Sequence, residues 1–112
     1  YHGNKGIINL NKFINNITEP HTLVNIGSSI SIYDIISQAW EKDLPYDYYQ
    51  GSLTTPPCYE SVTWIIAKDA LKVRVADIKP WTTLKGDKVN LICNNNRPLQ
   101  NLNQRKVYSV ED

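Results

Sequence analysis

Gly51-Ser52-Leu53-Thr54-Thr55-Pro56-Pro57-Cys58-Tyr59-Glu60-Ser61-Val62-Thr63-Trp64 is the stretch on which the reading of this chain turns. Gly51 permits a tight bend, while Pro56 and Pro57 fix their own φ and push Thr55 into an extended conformation. The hydroxyls of Thr54 and Thr55 are thereby held on a stiff loop, an arrangement that suits a positioned ligand. On the residues alone, the simpler reading is a proline-stiffened approach to a strand, with both threonines satisfying backbone groups. The strand itself is the clearest in the chain. Over residues 61–67, Val62, Trp64 and Ile66 share one face, and Ser61, Thr63 and Ile65 share the other. Because the second face is half apolar, a central strand is expected.

Working outward, Ile7, Leu10, Ile14 and Ile17 recur at helical steps with Asn and Lys between them, until Glu19-Pro20 stops the pattern. From Leu23 to Ile36 the apolar residues are β-branched and partly alternate. That predicts two short extended pieces about a turn at Gly27-Ser28-Ser29, followed by a connector over residues 40–45. Leu71-Lys72-Val73 reads as extended. Asp77 is placed to cap a short helix with Pro80 in its first turn, leaving Trp81 and Leu84 to face inward. Residues 89–93 and 105–110 read as two more strands. The fold class expected is mainly β with short helices.

The charge balance of 12 basic against 11 acidic side chains leaves no surplus to neutralise phosphates, so nucleic acid is not an expected partner. With 41% hydrophobic residues the chain is too apolar to read as disordered, and its 112 residues give room for a single core. No apolar run is long enough for a membrane span. There is no internal repeat or linker. The start at Tyr1 rather than Met reads as a processed or truncated piece. Seven tyrosines could form a stacking platform, but Tyr46, Tyr48, Tyr49 and Tyr59 lack basic interleaving and read as amphipathic residues at the edge of a core. The 12 asparagines carry no functional weight in this reading. A serine-hydrolase elbow is absent, and His2 and His21 read as ordinary surface residues rather than zinc ligands.

Two blocks carry a resemblance. The loop and strand G-S-L-T-T-P-P-C-Y-E-S-V-T-W resemble the signature of α-class carbonic anhydrases. Asn95-Asn96-Arg97-Pro98-Leu99-Gln100, with Leu102, Asn103 and Arg105, resembles that family's C-terminal N-x-R-P-x-Q-x-L-x-x-R block. The likeness covers residues from about Tyr46 to the end and is loose upstream. It implies that residues 1–112 are the C-terminal portion of a carbonic anhydrase domain, built on a twisted, mostly antiparallel sheet. The implied parent activity is reversible hydration of carbon dioxide to bicarbonate.

On this resemblance Thr54 is the catalytic residue, its hydroxyl orienting the attacking oxygen and its N–H binding substrate, a donor of the oxyanion-hole kind. Thr55 matches a pocket residue that contacts bicarbonate. Leu53, Val62 and Trp64 match the apolar wall that holds carbon dioxide. Tyr49 matches a buried tyrosine in the network near Thr54, Arg97 a structural arginine, and Asn95 the carbonyl that orients a zinc-binding histidine. The resemblance implies zinc in the parent, held by histidines outside this segment, so the segment alone is expected to be inactive. The alternative is a noncatalytic carbonic-anhydrase-like domain that binds another protein.

The resemblance also implies the missing N-terminal half of the same domain as a partner. Without it the strand around Trp64 should lack a neighbour, and the isolated piece should be poorly soluble. Cys58 matches the position at which secreted and membrane-tethered members place a disulfide cysteine, and Asn16-Ile17-Thr18 is a glycosylation sequon. Together they imply an extracellular parent. Cys93 is left as a buried thiol or as a partner for Cys58.

Overall fold

Asn4 is the only large side chain that is fully buried among the described residues, and it starts the first helix. The computed structural model describes residues 1–40, 44–87 and 90–111. They fall into two compact units. One comprises Tyr1–Gln38 and Leu71–Asn94; the other comprises Ala39–Ala70 and Asn95–Asp112.

In the first unit, α1 spans Lys5–Ile14. The Asn4 side chain accepts from the Ile7 amide at 3.1 Å, satisfying one of the helix's unpaired N–H groups. Its Nδ2 donates to the Ile35 carbonyl at 2.8 Å, on α2, which spans Ile32–Trp40. One side chain therefore both caps α1 and ties it to α2. The helices meet so closely at Gly6 that a Cβ there would lie 2.6 Å from Ile35 Cγ1 and 2.7 Å from the Asp34 backbone carbon. Asn11, two turns further along, donates to the Asp77 carbonyl at 2.7 Å and accepts from Trp81 Nε1 at 2.8 Å. These contacts secure α3, Val75–Ile78, and the 3-10 turn Lys79–Thr83 that follows it. Ile14 is the one buried hydrophobic residue among those described.

Several expectations are corrected here. α1 ends at Ile14 rather than at Ile17. The extended pieces expected between Leu23 and Ile36 give way to α2, although the turn at Gly27-Ser28 is present. Its cause is local: the Ser31 amide donates to Asp34 Oδ2 at 3.0 Å, and the Asp34 amide donates back to Ser31 Oγ at 3.3 Å. This reciprocal cap outweighs the β-branched run. Trp40 ends α2 rather than starting a connector, and residues 41–43 lie outside the described residues. Asp77 does not cap α3. It lies within the helix and receives Arg74 Nε at 2.6 Å and Nη2 at 2.9 Å. That hydrogen bond, then the guanidinium charge, holds the Asp77 carboxyl below its usual range against the opposing effect of burial. Leu71-Lys72-Val73 is not a strand; the Lys72 carbonyl accepts from the Tyr1 hydroxyl. In the stretch expected as a strand over 89–93, Val89 lies outside the described residues and Leu91 forms only an isolated bridge to Lys85.

The second unit is built on an antiparallel sheet of three strands in the order β2-β1-β3, with β1 at Tyr46–Gly51, β2 at Val62–Ala67 and β3 at Tyr108–Val110. Tyr49 lies opposite Trp64 and Gly51 opposite Val62, so these four residues share a face; Tyr48 lies opposite both Ile65 and Tyr108 on the other. The Tyr48 and Tyr108 rings stack with centroids 5.2 Å apart. β1 occupies the centre of this sheet. The expectation that β2 is central is therefore corrected, because β2 has a neighbour on one side only among the described residues. Lys68, just past β2, pairs with Glu111 and lies 3.8 Å from Asp47, which fastens β3 to the far end of the sheet. No helix among the described residues is long and apolar enough to cross a membrane.

Candidate active site

In the connection between β1 and β2, the hydrogen bonds are carried by Ser52, Leu53, Thr55, Cys58 and Tyr59. Ser52 leaves β1 beside Trp64, where Gly51 is required because a Cβ would fall 2.6 Å from the indole Cδ1. The Trp64 indole N–H donates to the Ser52 carbonyl at 3.1 Å, and Arg97 Nη1 donates to Ser52 Oγ at 2.5 Å. Beyond Ser52 the loop closes on itself. The Leu53 amide donates to the Tyr59 carbonyl at 2.9 Å, and the Cys58 amide donates to the Thr55 carbonyl at 2.8 Å. The Pro56-Pro57 bond is cis, and Cys58 takes a φ of +58°.

Thr54 is exposed and takes no part in these bonds. Neither its hydroxyl nor its amide has a hydrogen-bond partner among the described residues, although Ser52, Leu53, Thr55 and Cys58 are all engaged. It borders a cavity of about 380 Å³ with Tyr49, Trp64, Ile66 and Arg97. Leu99, Leu102 and Val107 add apolar surface to the same cavity.

The structure thus brings four of the eight site residues expected from sequence to one cavity: Thr54, Trp64, Tyr49 and Arg97. Leu53, 39% exposed, Thr55, Val62 and Asn95 do not line it. Sequence reasoning gave no role to Ile66, Ser52 or Arg105. Ile66 was findable, since it follows Trp64 at the strand period. The engagement of Arg105 was not. Its Nε donates to the Leu102 carbonyl, its Nη2 to Asn101 and its Nη1 to Gln50, each at 2.8 Å, while the guanidinium lies 5.8 Å from the Tyr49 ring centre.

Among the described residues no three His, Cys, Asp or Glu side chains converge as a metal site requires. His2 and His21 are exposed. The donor set present here does not fit zinc.

Comparison with solved structures identifies the fold as that of the carbonic-anhydrase-like proteins. The chain superposes on a crystal structure of dioscorin complexed with ascorbate with a TM-score of 0.72, covering 99% of this chain and 44% of that one. At 24% identity that likeness concerns the fold. The sequence profile of eukaryotic-type carbonic anhydrase matches residues 1–111, and the chain belongs to that family. It is 46% identical over 70 residues to human mitochondrial carbonic anhydrase 5A, covering 57% of this chain and 23% of the relative. Carbonic anhydrase of Dunaliella salina is 47% identical over 73 residues, covering 63% and 12%. A putative carbonic anhydrase of Acropora millepora is 43% identical over 68 residues, covering 58% and 46%. The chain spans less than half the length of these relatives.

These relatives overturn the expectation of an extracellular parent, since carbonic anhydrases 5A and 5B are mitochondrial proteins. The two cysteines of this chain are not paired with each other. Cys58 and Cys93 are both free thiols, and Cys93 is exposed rather than buried. The sequon at Asn16 then carries no weight.

Proposed function

We propose that this chain forms the Thr54-bearing wall of a carbonic anhydrase site, in a protein that interconverts carbon dioxide and bicarbonate. The observation that carries this reading is the uncommitted hydroxyl and amide of Thr54 at a largely apolar cavity, on a loop tied to β2 and to Arg97 through Ser52. A small, uncharged substrate needs an apolar slot, and a reaction that builds negative charge on oxygen needs a fixed donor beside it. Thr54 offers a donor amide and a hydroxyl that both donates and accepts.

Zinc in the complete protein belongs to the same proposal, held by side chains outside these 112 residues, and no step is derived through it. The two units would then be parts of one domain completed by that further polypeptide. Supporting this, Leu23 and Leu99 are almost wholly exposed, and β2 presents an unpaired edge among the described residues.

The test is carbon dioxide hydration by the natural protein together with its zinc content. Thr54→Val should lower turnover about 100-fold, the usual effect of losing one such donor, at unchanged zinc content. Unchanged turnover would remove Thr54 from the site. A natural protein with neither zinc nor activity would turn the reading to a noncatalytic binding domain.

A further inference from the structure

Residues from three separate parts of the second unit converge on the short stretch that leads to Thr54. Arg105 holds the Gln50 carbonyl at 2.8 Å, on the near side of Gly51. Arg97 holds the Ser52 hydroxyl at 2.5 Å and Trp64 holds the Ser52 carbonyl at 3.1 Å, on the far side. The Arg97 and Arg105 guanidiniums have no carboxylate partner among the described residues, the ion pairs there being made by Lys68, Arg74 and Lys85. Their donors go instead to carbonyls and to one hydroxyl. A guanidinium is planar and pre-organised, so directing it at the backbone fixes a position rather than balancing a charge.

We propose that Arg97 and Ser52, with Trp64, are positioning residues for Thr54, forming a clamp that places its free hydroxyl and amide at the cavity. This deepens the reading given under Proposed function and rests on it. Ser52 is the last point gripped from outside the loop. Beyond it the loop holds only itself, through the Leu53–Tyr59 and Thr55–Cys58 hydrogen bonds. Releasing Ser52 therefore frees residues 53–59, carrying Thr54 off its position and loosening the two hydrogen bonds that close the loop. Because Arg97 and Trp64 grip different atoms of one residue, loss of either leaves a partial hold, whereas Arg97 and Ser52 share one bond and must act as a pair.

The experiment is a double-mutant cycle of Ser52→Ala and Arg97→Ala in the natural protein, read by amide hydrogen exchange and by steady-state kinetics. Exchange at Leu53 and Cys58 should quicken about tenfold in either single variant, the scale set by losing a hydrogen bond to a charged donor. The double variant should exchange no faster than the singles. Amides of α1 should be unaffected. In kinetics, kcat should fall about tenfold with zinc content held and KM little changed, as when transition-state contacts alone are lost. Unchanged exchange at Leu53 and Cys58 in Ser52→Ala, or additive effects in the double variant, would overturn the clamp. If the natural protein does not hydrate carbon dioxide, the functional reading fails while the exchange cycle still decides the clamp.

Discussion

The two units solve the same problem by opposite means. In the second, a sheet ladder supplies the backbone pairing and arginines finish it where the ladder stops. In the first, helices satisfy their own backbones, and asparagines carry the connections between them. Asn4 and Asn11 each make a cap or cross-element bond that a purely apolar side chain could not make. The lesson is that in the first unit single side chains join whole helices, whereas in the second they hold the loops that a sheet leaves unpaired. Substitution should therefore act locally and severely in the first unit.

The sharpest way to break that contrast is Asn4→Ala. It would leave the Ile7 amide uncapped and cut the tie to the Ile35 carbonyl on α2, at a cost of about 2–3 kcal/mol. A melt of the natural protein measures this, and a loss under 1 kcal/mol would show that the asparagine stitches are dispensable. Gly6→Ala comes next. Helix propensity alone favours alanine by about 1 kcal/mol, but the 2.6 and 2.7 Å approaches to α2 predict a net loss of about 1–3 kcal/mol. Stabilisation would mean that α1 and α2 can separate freely.

A weaker effect is expected from acid, because Arg74 is partly exposed and the pair is screened. The folded Asp77 carboxyl lies below its ordinary value, so its contribution is present above about pH 4 and is lost as pH falls through the lowered folded value. Asp77→Asn should flatten that acid limb, and an unchanged limb would assign it to other groups. The smallest effect belongs to the sheet. Ile65, 53% exposed on β2, changed to Thr should shift stability by about 0.5 kcal/mol or less in the 112-residue chain. A larger loss there would show that this face is covered.

Legibility from sequence followed the same division. The alternation of Val62, Trp64 and Ile66 revealed β2, and the proline pair lies in the loop ahead of it. β1 was hidden because Tyr46-Asp47-Tyr48-Tyr49-Gln50 mixes aromatic and polar residues on both faces, so no alternation stands out. α2 was hidden by Ile30 and Ile32, although Ser31 and Asp34 stood at capping-box spacing. At the candidate site, Thr54 and its wall were readable only through the family resemblance. The braces were not readable at all, since Arg97 and Arg105 reach carbonyls and a hydroxyl some 45–55 residues away, and no local pattern encodes such pairs. Asparagine abundance, given no weight in the sequence, turned out to include the residues that join the helices.

Arg105 also bears on how this region could diverge. β3 pairs with β1 only as far as Tyr48, and the next outward-facing acceptor, at Gln50, is served by a side chain instead of a strand. One planar cation thus stands in for a missing rung while its other nitrogens hold the turn it comes from. The turn closed by the Arg105 amide on the Leu102 carbonyl is what delivers a guanidinium to that acceptor. An ammonium group, with its round geometry and single nitrogen, could not inherit the post.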